Sequence, residues 1–380
     1  MDGVPPAPAA TPPPGGVVER LLKLRDRLLA TPRFQVFSLA FWPTRRVARR
    51  SAEALFDLTA GFVYAQVLQA CVELDLFERL SGAPRTAADL APELGLTPER
   101  TERLLTAAAS LGLLQRRRGH YRLGQIGAAY RGVPGLGEMI AHHAVFYRDL
   151  ADPVALLRGE TEPELSRYWG YVGGRRTHDL ASGETAPYTR LMAATQAMIS
   201  SEVLAAYRFS RHRCLLDIGG GDGTFLRAVA GQAPRLRLRL FDLPSVADQA
   251  TARFEEAGLG QRAEALGGDF FNDALPKGAD AISLVRVLYD HDDDAALSLL
   301  RRVRAALPAG GRLIVAEPMG DTPGTPRVGD AYFGFYLLAM THGRPRSAAA
   351  LSALLRQAGF ERIRIPRMRR PFLTGMIVAE

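Results

Sequence analysis

Cysteine is nearly absent: there are two in 380 residues, Cys71 and Cys214. They stand far apart, each in an apolar stretch. That excludes a disulfide framework or a cysteine metal cluster and reads as two buried, reduced thiols. No uninterrupted apolar run reaches the ~18 residues that a membrane span needs. Residues 1–16 are rich in proline and alanine and lack the charged start and apolar core of a secretion signal, so they read as a disordered tail. Internal repeats and collagen or coiled-coil periods are missing too. The paired histidines His142 and His143 have no cysteine or carboxylate at ligand spacing, which makes a poor metal site; no metal is expected.

The length suits two domains, and 47% of the residues are apolar, as in ordinary globular proteins. The net charge is +8, with a pI of about 9.8. Such a balance admits nucleic acid, an anionic membrane surface or an acidic cofactor, and selects none of them. Residues 17–50 form a basic arm, helical in pattern and broken by Pro32 and Pro43. In it Phe34, Phe37, Leu39, Phe41 and Trp42 are flanked by Arg33, Arg45, Arg46, Arg49 and Arg50. Two readings stand for the arm: a helix packed into a dimer interface with a solvated basic end, or an aromatic–arginine anchor at a membrane surface.

Residues 51–130 are mostly helical. Phe56, Phe62, Val63, Val67, Leu68, Val72 and Leu76 recur at three- and four-residue spacing. Elements at 86–94 and 98–111 precede a short hairpin around Arg116–Arg118, Gly119 and Tyr121. Helix, turn, helix, hairpin is the order of a winged helix. Residues 131–205 are a second helical stretch with a polar loop near 170–183. After Arg213 the pattern changes: apolar runs at 214–218, 236–242, 281–288 and 313–316 alternate with helices, which implies an α/β domain with a parallel sheet covered on both faces. Runs at 363–368 and 372–378 suggest a terminal antiparallel hairpin.

The chemistry concentrates in Leu215-Leu216-Asp217-Ile218-Gly219-Gly220-Gly221-Asp222-Gly223. A strand runs into a glycine loop and a helix follows from Thr224. Glycines let the backbone turn tightly and approach a ligand where a Cβ would collide. The spacing is Asp-x-Gly-x-Gly-x-Gly. A dinucleotide fingerprint places its last glycine where Thr224 stands, and the Gly-Lys-Ser/Thr of a P-loop is missing. The next strand ends in Asp242, placed to accept both ribose hydroxyls of a nucleoside. A third acid, Asp269, can accept from an adenine amino group while Phe270 packs on the ring. Singly, each is explained by a turn or a cap. Three in order, each after a strand and with no phosphate-binding device, fit a nucleoside sulfonium better than NAD or ATP.

These motifs, with the helical domain before them, resemble the caffeate and acetylserotonin type of O-methyltransferases over about residues 50–380. The resemblance implies a C-terminal class I Rossmann-like methyltransferase domain and a mainly helical N-terminal winged-helix-like domain that makes an intertwined homodimer. It implies S-adenosyl-L-methionine as methyl donor and S-adenosyl-L-homocysteine as product. Asp217, Gly219 and Gly221 would form the loop, Asp242 would hold the ribose, and Asp269 and Phe270 the adenine. A lysine frequent near the end of the fourth strand has no match; Arg286 stands about one place away. One bacterial branch is nearer still. Phe56-Asp57-Leu58-x-Ala60-Gly61-Phe62-Val63-Tyr64, Arg286-Val287-Leu288-Tyr289-Asp290-His291-Asp292 and Ala339-Met340-Thr341-x-Gly343-Arg344 look like the hydroxyneurosporene (demethylspheroidene) O-methyltransferases of purple phototrophic bacteria. Those methylate the tertiary C-1 hydroxyl of an acyclic carotenoid, which implies carotenoid biosynthesis for photosynthesis.

The sequence departs from the wider family at its base. Tyr289 occupies the place of the usual histidine, and His291 the aromatic place beside the cofactor. Glu317 keeps a supporting acid, while Pro345 takes the place of a second. A tertiary alkanol is too weak an acid to be ionised beforehand by any side chain titrating near neutrality. Its proton must leave late, so proximity and alignment are expected to supply most of the rate, with Tyr289, His291 or His342 holding the hydroxyl. Structural roles compete: Tyr289 packing under the cofactor, His291 stacking on adenine, and Asp292–Asp294 capping the helix near Ala295. His142, His143 and Phe146 lie in the segment that lines the acceptor pocket in relatives, and at most one of the two histidines is expected to touch substrate.

Two rival functions remain. Another O-methyltransferase would share the cofactor but take a polyketide, phenol or tetrapyrrole. A winged-helix DNA-binding regulator would use residues 98–111, but Leu104, Leu105, Ala107–Ala109 and Leu111 suit a buried helix, and base reading needs polar side chains; no nucleic-acid partner is expected. The expected place of action is the cytoplasm, with the arm's membrane reading adding a peripheral contact on the inner or photosynthetic membrane.

Overall fold

The computed structural model describes residues 16–168 and 195–380. Of the tail expected over 1–16, only Gly16 is among the described residues, where it opens the first helix; the polar loop near 170–183 lies outside them. The chain divides into two units, Met1–Ala70 and Cys71–Glu380.

In the first unit the helices are Gly16–Leu29, Pro32–Ala40 and the start of Arg45–Glu73. Pro32 stands in a first helical turn, where its missing N–H has no intrahelical partner to lose. The third helix runs unbroken through positions 50 and 51. The first two bury no side chain. Phe37 and Phe41 stack with ring centroids 5.3 Å apart, and Trp42 is 76% exposed. Leu55, Phe56, Leu58, Phe62 and Val63 are exposed as well, so the amphipathic pattern read from the sequence leaves its N-terminal apolar positions uncovered in the single chain. Helix Arg45–Glu73 is long and apolar enough to cross a membrane by length and composition alone. Thr59, Gln66 and Gln69 interrupt it, which is why it shows no continuous apolar run.

The second unit opens with the expected order of helix, turn, helix and hairpin. Helix Ala87–Leu94 starts in a capping box between Thr86 and Asp89 and ends at Gly95, whose φ is +63°. Helix Pro98–Ser110 is capped by Thr97 and buries Thr101, Leu105 and Ala108. Strands β1 (Leu114–Arg117) and β2 (His120–Leu123) pair antiparallel through a turn in which Arg118 and Gly119 both have positive φ. On this face Arg103 pairs with Glu99 and Arg116 with Glu102, which offsets the basic charge a DNA reader would need.

The main sheet has seven strands: β3 (Cys214–Ile218), β4 (Arg237–Asp242), β5 (Ala263–Gly267), β6 (Ala281–Val285), β7 (Arg312–Glu317), β8 (Ile363–Arg364) and β9 (Gly375–Ala379). Their order is β5-β4-β3-β6-β7-β9-β8. The first five run parallel, and β9 lies antiparallel between β7 and β8, so the sheet is mixed and not wholly parallel. Hydrophobic clusters cover both faces, so β3 and β6 are buried throughout and apolar except for Asp217 and Ser283, which bond to each other. β5 is an edge strand of small residues around Glu264 and carries little apolar signal. The expected run at 363–368 shortens to two residues; Pro366 has no N–H to extend the ladder. Chain order reverses between β3 and β6, where open α/β sheets bind ligands beyond their C-terminal strand ends.

Candidate active site

At the C-terminal end of β3 the backbone enters the glycine loop. Gly219 has φ +67°, and a Cβ there would stand 2.8 Å from Val287 Cγ2, beyond β6. Its N–H donates to Phe241 O at 2.9 Å. The Gly221 N–H donates to Asp242 Oδ2 at 2.9 Å and the Leu243 N–H to Oδ1 at 2.8 Å, so loop and acid form one unit. Burial pushes the Asp242 carboxyl up, and those two amides hold it down. Asp217 is buried beneath the loop. The Ser283 hydroxyl donates to its Oδ1 at 2.6 Å, while Oδ2 has no partner among the described residues. Burial, above all, pushes Asp217 to about 7.

Asp269 follows β5 in a tight turn. Its Oδ1 accepts from the Phe271 N–H at 2.8 Å and its Oδ2 from Asn272 Nδ2 at 2.7 Å. Phe270, Phe271 and His291 form an edge-to-face cluster with centroids 4.8–5.8 Å apart. Burial and the Arg346 charge bring His291 down to about 4, so its imidazole is neutral. Residues expected at an adenine therefore stand together, with His291 among them.

The turn after β6 carries Tyr289, Asp290 and His291, all buried. The Tyr289 N–H donates to Glu317 Oε2 at 2.7 Å, which ties the turn to the end of β7. Glu317 Oε1 and Asp290 Oδ1 have no partner among the described residues. Burial pushes Glu317 to about 7 and the Tyr289 phenol well above the usual tyrosine range. Arg286 donates to Thr195 Oγ1 at 3.0 Å, and its charge partly opposes the upward push of burial on the Tyr289 phenol. His342 is exposed. Asp292 caps helix Asp293–Ala306 through the Ala295 N–H at 2.8 Å, as expected.

Sequence reasoning missed Arg346. Buried at 3% exposure, it donates to Leu288 O at 2.8 Å, to His291 O at 2.6 Å and to Asp293 Oδ1 at 2.7 Å. It clamps the whole Tyr289 turn, and Gly343 lies against that turn's backbone. An arginine in an Arg-Pro-Arg loop gives no sequence signal of such a task.

Around Tyr289 the walls are apolar and aromatic: Phe146, Leu156, Leu165, Tyr336, Leu337 and Met340. A π-helical turn at Arg327–Phe333 leads into helix Gly334–Ala339 and presents Tyr332 and Tyr336. These phenols bond to His143 Nε2 at 2.9 Å and to His142 Nε2 at 3.0 Å. Burial keeps both imidazoles neutral, His142 down to about 4. No group of histidine, cysteine and carboxylate among the described residues could hold a metal ion. A depression of about 720 Å³ opens at the opposite ends of β3 and β7, between Arg208, Arg211, Arg213 and Arg312; its distance from the strand C-termini separates it from this site.

The arrangement suits a nucleoside. Carboxylates stand at three neighbouring strand ends, the Gly221 amide is already taken by Asp242, and Arg227 on the helix after the loop is drawn to Thr224 and Asp222. Comparison with known proteins gives the same answer. A family model described as an O-methyltransferase domain matches residues 147–361, and one described as an O-methyltransferase dimerisation domain matches residues 56–131. A demethylspheroidene O-methyltransferase of Cereibacter sphaeroides is 48% identical over 94% of this chain and 95% of that protein. One from Rhodobacter capsulatus is 45% identical over 88% of this chain and 84% of that protein. The crystal structure of human N-acetylserotonin methyltransferase with S-adenosylmethionine superposes with a TM-score of 0.71 at 26% identity, over 87% of this chain and 97% of that one.

Proposed function

The chain belongs to the S-adenosylmethionine-dependent O-methyltransferases, and from that premise we propose that it methylates the tertiary C-1 hydroxyl of an acyclic 1-hydroxycarotenoid. The observation that carries the reading is the near full-length likeness, 48% identity, to a demethylspheroidene O-methyltransferase. The site chemistry supports it. A phenol acceptor gains from a base able to ionise it, and here a buried tyrosine stands where the family's histidine would. An alkanol needs no prior ionisation, and the aromatic and aliphatic walls suit a hydrocarbon chain.

S-adenosylmethionine supplies a methyl group on a sulfonium sulfur, open to in-line attack. The chain's own part is to hold and align. Gly219 and Gly221 let the backbone approach, Asp217 lies beneath them, and Asp242 keeps lone pairs for two ribose hydroxyls. Asp269, Phe270 and His291 enclose the adenine. The phenol of Tyr289, near Arg286 and oriented by the Glu317 contact to its backbone, holds the acceptor hydroxyl, with the exposed His342 as the alternative holder. Alignment supplies most of the rate, several kcal/mol on general grounds.

The test is to incubate the purified protein with labelled S-adenosylmethionine and either 1-hydroxycarotenoids or phenols. Labelled carotenoid ether is expected. Label in the phenols alone would overturn the reading in favour of a polyketide or phenol acceptor.

The matched dimerisation domain supports a homodimer. For the arm, residues 17–50, we propose cover by the second copy, continuous with the dimerisation segment that begins at residue 56. The proposed place is the cytoplasm. Liposome sedimentation with and without residues 1–50 tests the other covering. Lipid binding that vanishes on deletion would make the arm a peripheral membrane contact.

A further inference from the structure

Between Glu361 and Glu380 the chain has five arginines and no acid. They stand at the free edge of the main sheet. Strand β8 is the outermost strand there, and the connection from it leads into β9. Ile363 pairs with Ala379 at one end of β9, and Gly375 pairs with Glu317 at the other. The connection thus runs the length of the edge and ends beside Glu317, to which the Tyr289 turn is tied. Buried Met368 anchors it on the core. Arg370 is held as well: its Nε donates to Glu202 Oε1 and its backbone N–H to Oε2, both at 2.8 Å. Arg364, Arg367 and Arg369 are exposed, and their guanidinium groups have no acid partner among the described residues. Among these charges stand two apolar side chains, Ile365 at 55% and Phe372 at 40% exposure. Arginine on an edge strand guards it against pairing with another chain, which accounts for Arg364. It accounts neither for Arg367 and Arg369 beyond the strand nor for the uncovered Ile365 and Phe372.

We propose that this edge, residues 362–373, docks on a lipid bilayer that carries anionic phospholipids. Guanidinium groups pair with phosphate oxygens two at a time. A basic segment that also bears apolar side chains settles at the boundary between head groups and acyl chains. The lower end of the edge continues the charge. Glu380 lies 3.3 Å from Arg362 and 3.7 Å from Arg312, and Arg312 lines, with Arg208, Arg211 and Arg213, the depression of about 720 Å³. The acid of that depression, Asp280, is spent on the N–H groups of Arg213 and Cys214, so a phosphate meets a positive wall. A second copy of this chain fits poorly, because a two-fold contact through this edge brings the same arginines against one another. A nucleic acid would use the charges and leave Ile365 in water. The purpose of the docking rests on the acceptor reading above: a hydrocarbon acceptor dissolves in a bilayer, and this edge ends at the strand ends that hold the Tyr289 turn.

Vesicle binding is read without any acceptor, which separates this test from the acceptor reading. The full-length protein is sedimented with vesicles of phosphatidylglycerol and phosphatidylcholine, and with vesicles of phosphatidylcholine alone. It should bind the mixed vesicles at low salt, bind phosphatidylcholine more weakly, and lose the difference at high salt, where the charges are screened. Each arginine near an anionic surface contributes about fivefold, so Arg364→Gln, Arg367→Gln and Arg369→Gln combined should weaken binding to the mixed vesicles about a hundredfold. The corresponding lysine triple keeps the charge and should bind nearly as the wild type does. Ile365→Ser with Phe372→Ser should cost about tenfold, the scale of a partly buried apolar pair. The Kd for S-adenosylmethionine should stay within about threefold in every variant, since none of these side chains belongs to the cofactor site. Absence of binding to the mixed vesicles at low salt, or binding by the glutamine triple within about threefold of wild type, would overturn the proposal. In the second case, loss on deletion of residues 1–50 would assign the bilayer contact to the arm. Tighter binding to duplex DNA than to the vesicles, lost in the glutamine triple, would overturn it in favour of a nucleic acid. Should the glutamine triple fail to bind cofactor, the serine pair decides: unchanged vesicle binding there refutes the docking edge. If the wild type methylates only a water-soluble phenol, the acceptor reading falls, and vesicle binding still decides the edge.

Discussion

On the β3–β4 side of the sheet edge, carboxylates meet backbone amides. Asp242 takes two N–H groups, and Asp217 sits under the loop that supplies one of them. On the β6–β7 side, carboxyls lie buried with an oxygen left over, and phenols meet neutral imidazoles. The first side is local. Its geometry comes from glycines and acids within a few residues of a strand end. The second is assembled from positions as far apart as His142 and Tyr336, held by one buried arginine. The difference teaches that the cofactor end is rigid because the backbone builds it, whereas the acceptor end depends on single side chains that can change with the substrate.

Breaking the cofactor end should cost most. Asp242→Ala removes two hydrogen bonds between a charged acceptor and ribose hydroxyls, about 1.5–3 kcal/mol each, and leaves the Gly221 and Leu243 amides unpaired. Affinity for S-adenosylmethionine should fall at least a hundredfold by calorimetry, and an unchanged Kd would remove Asp242 from the cofactor. At the acceptor end the comparable lesion is Arg346→Ala. It orphans the carbonyl of His291, about 1–3 kcal/mol, partly recovered by water, and strips one of two donors from the carbonyl of Leu288, which keeps the His291 N–H. Denaturant unfolding should show a loss of about 2–4 kcal/mol, with kcat falling as the Tyr289 turn loosens. A loss below about 0.5 kcal/mol would show the turn to be held by something else.

Gly219→Ala sharpens the claim that backbone builds the cofactor end. The added methyl meets Val287 Cγ2 at 2.8 Å in a left-handed conformation, which alone costs about 1–2 kcal/mol for a residue with a Cβ. About a tenfold loss of cofactor affinity is expected, against little change for Gly231→Ala, where a Cβ meets nothing within 4 Å.

How much of this the sequence carried follows the same line. Strands β3, β6 and β7 were legible because burial on both faces makes them nearly continuous apolar runs, β4 through its alternating leucines and Phe241, and the loop at Gly219 because its glycines answer to positive φ. β5, small and polar at the edge, had no such run. The Tyr289 turn was visible only through resemblance, and Arg346 not at all: its partners are backbone carbonyls, which leave no mark on residue type. His142 and His143 were singled out, but their partners Tyr332 and Tyr336, about 190 positions away, were not. The start of the domain at 51–130 differs in another way. Its periodicity promised a buried face, yet Phe56 and Phe62 are exposed in the single chain, since periodicity says that a face will be covered and not by which chain.

The smallest effect distinguishes the two ends by the sign of a pH dependence. His142 goes from an ordinary 6.5 to about 4 because burial disfavours its charged form. The unfolded chain therefore takes up the proton first as pH drops, and the stability contributed is whole above about 6.5 and lost as pH falls toward 4. Asp217 goes the opposite way, from 3.8 to about 7. Its contribution is whole below the unfolded carboxyl pKa and lost as pH rises through 7. Melting temperatures followed from pH 4.5 to 7.5 should thus respond oppositely to two substitutions. His142→Phe should lessen the fall on the acid side, and Asp217→Asn should lessen the fall toward neutrality. If both variants kept the wild-type slope, burial would hold neither group in its neutral form, and the contrast between a buried acid at the cofactor end and a buried base at the acceptor end would lose its basis.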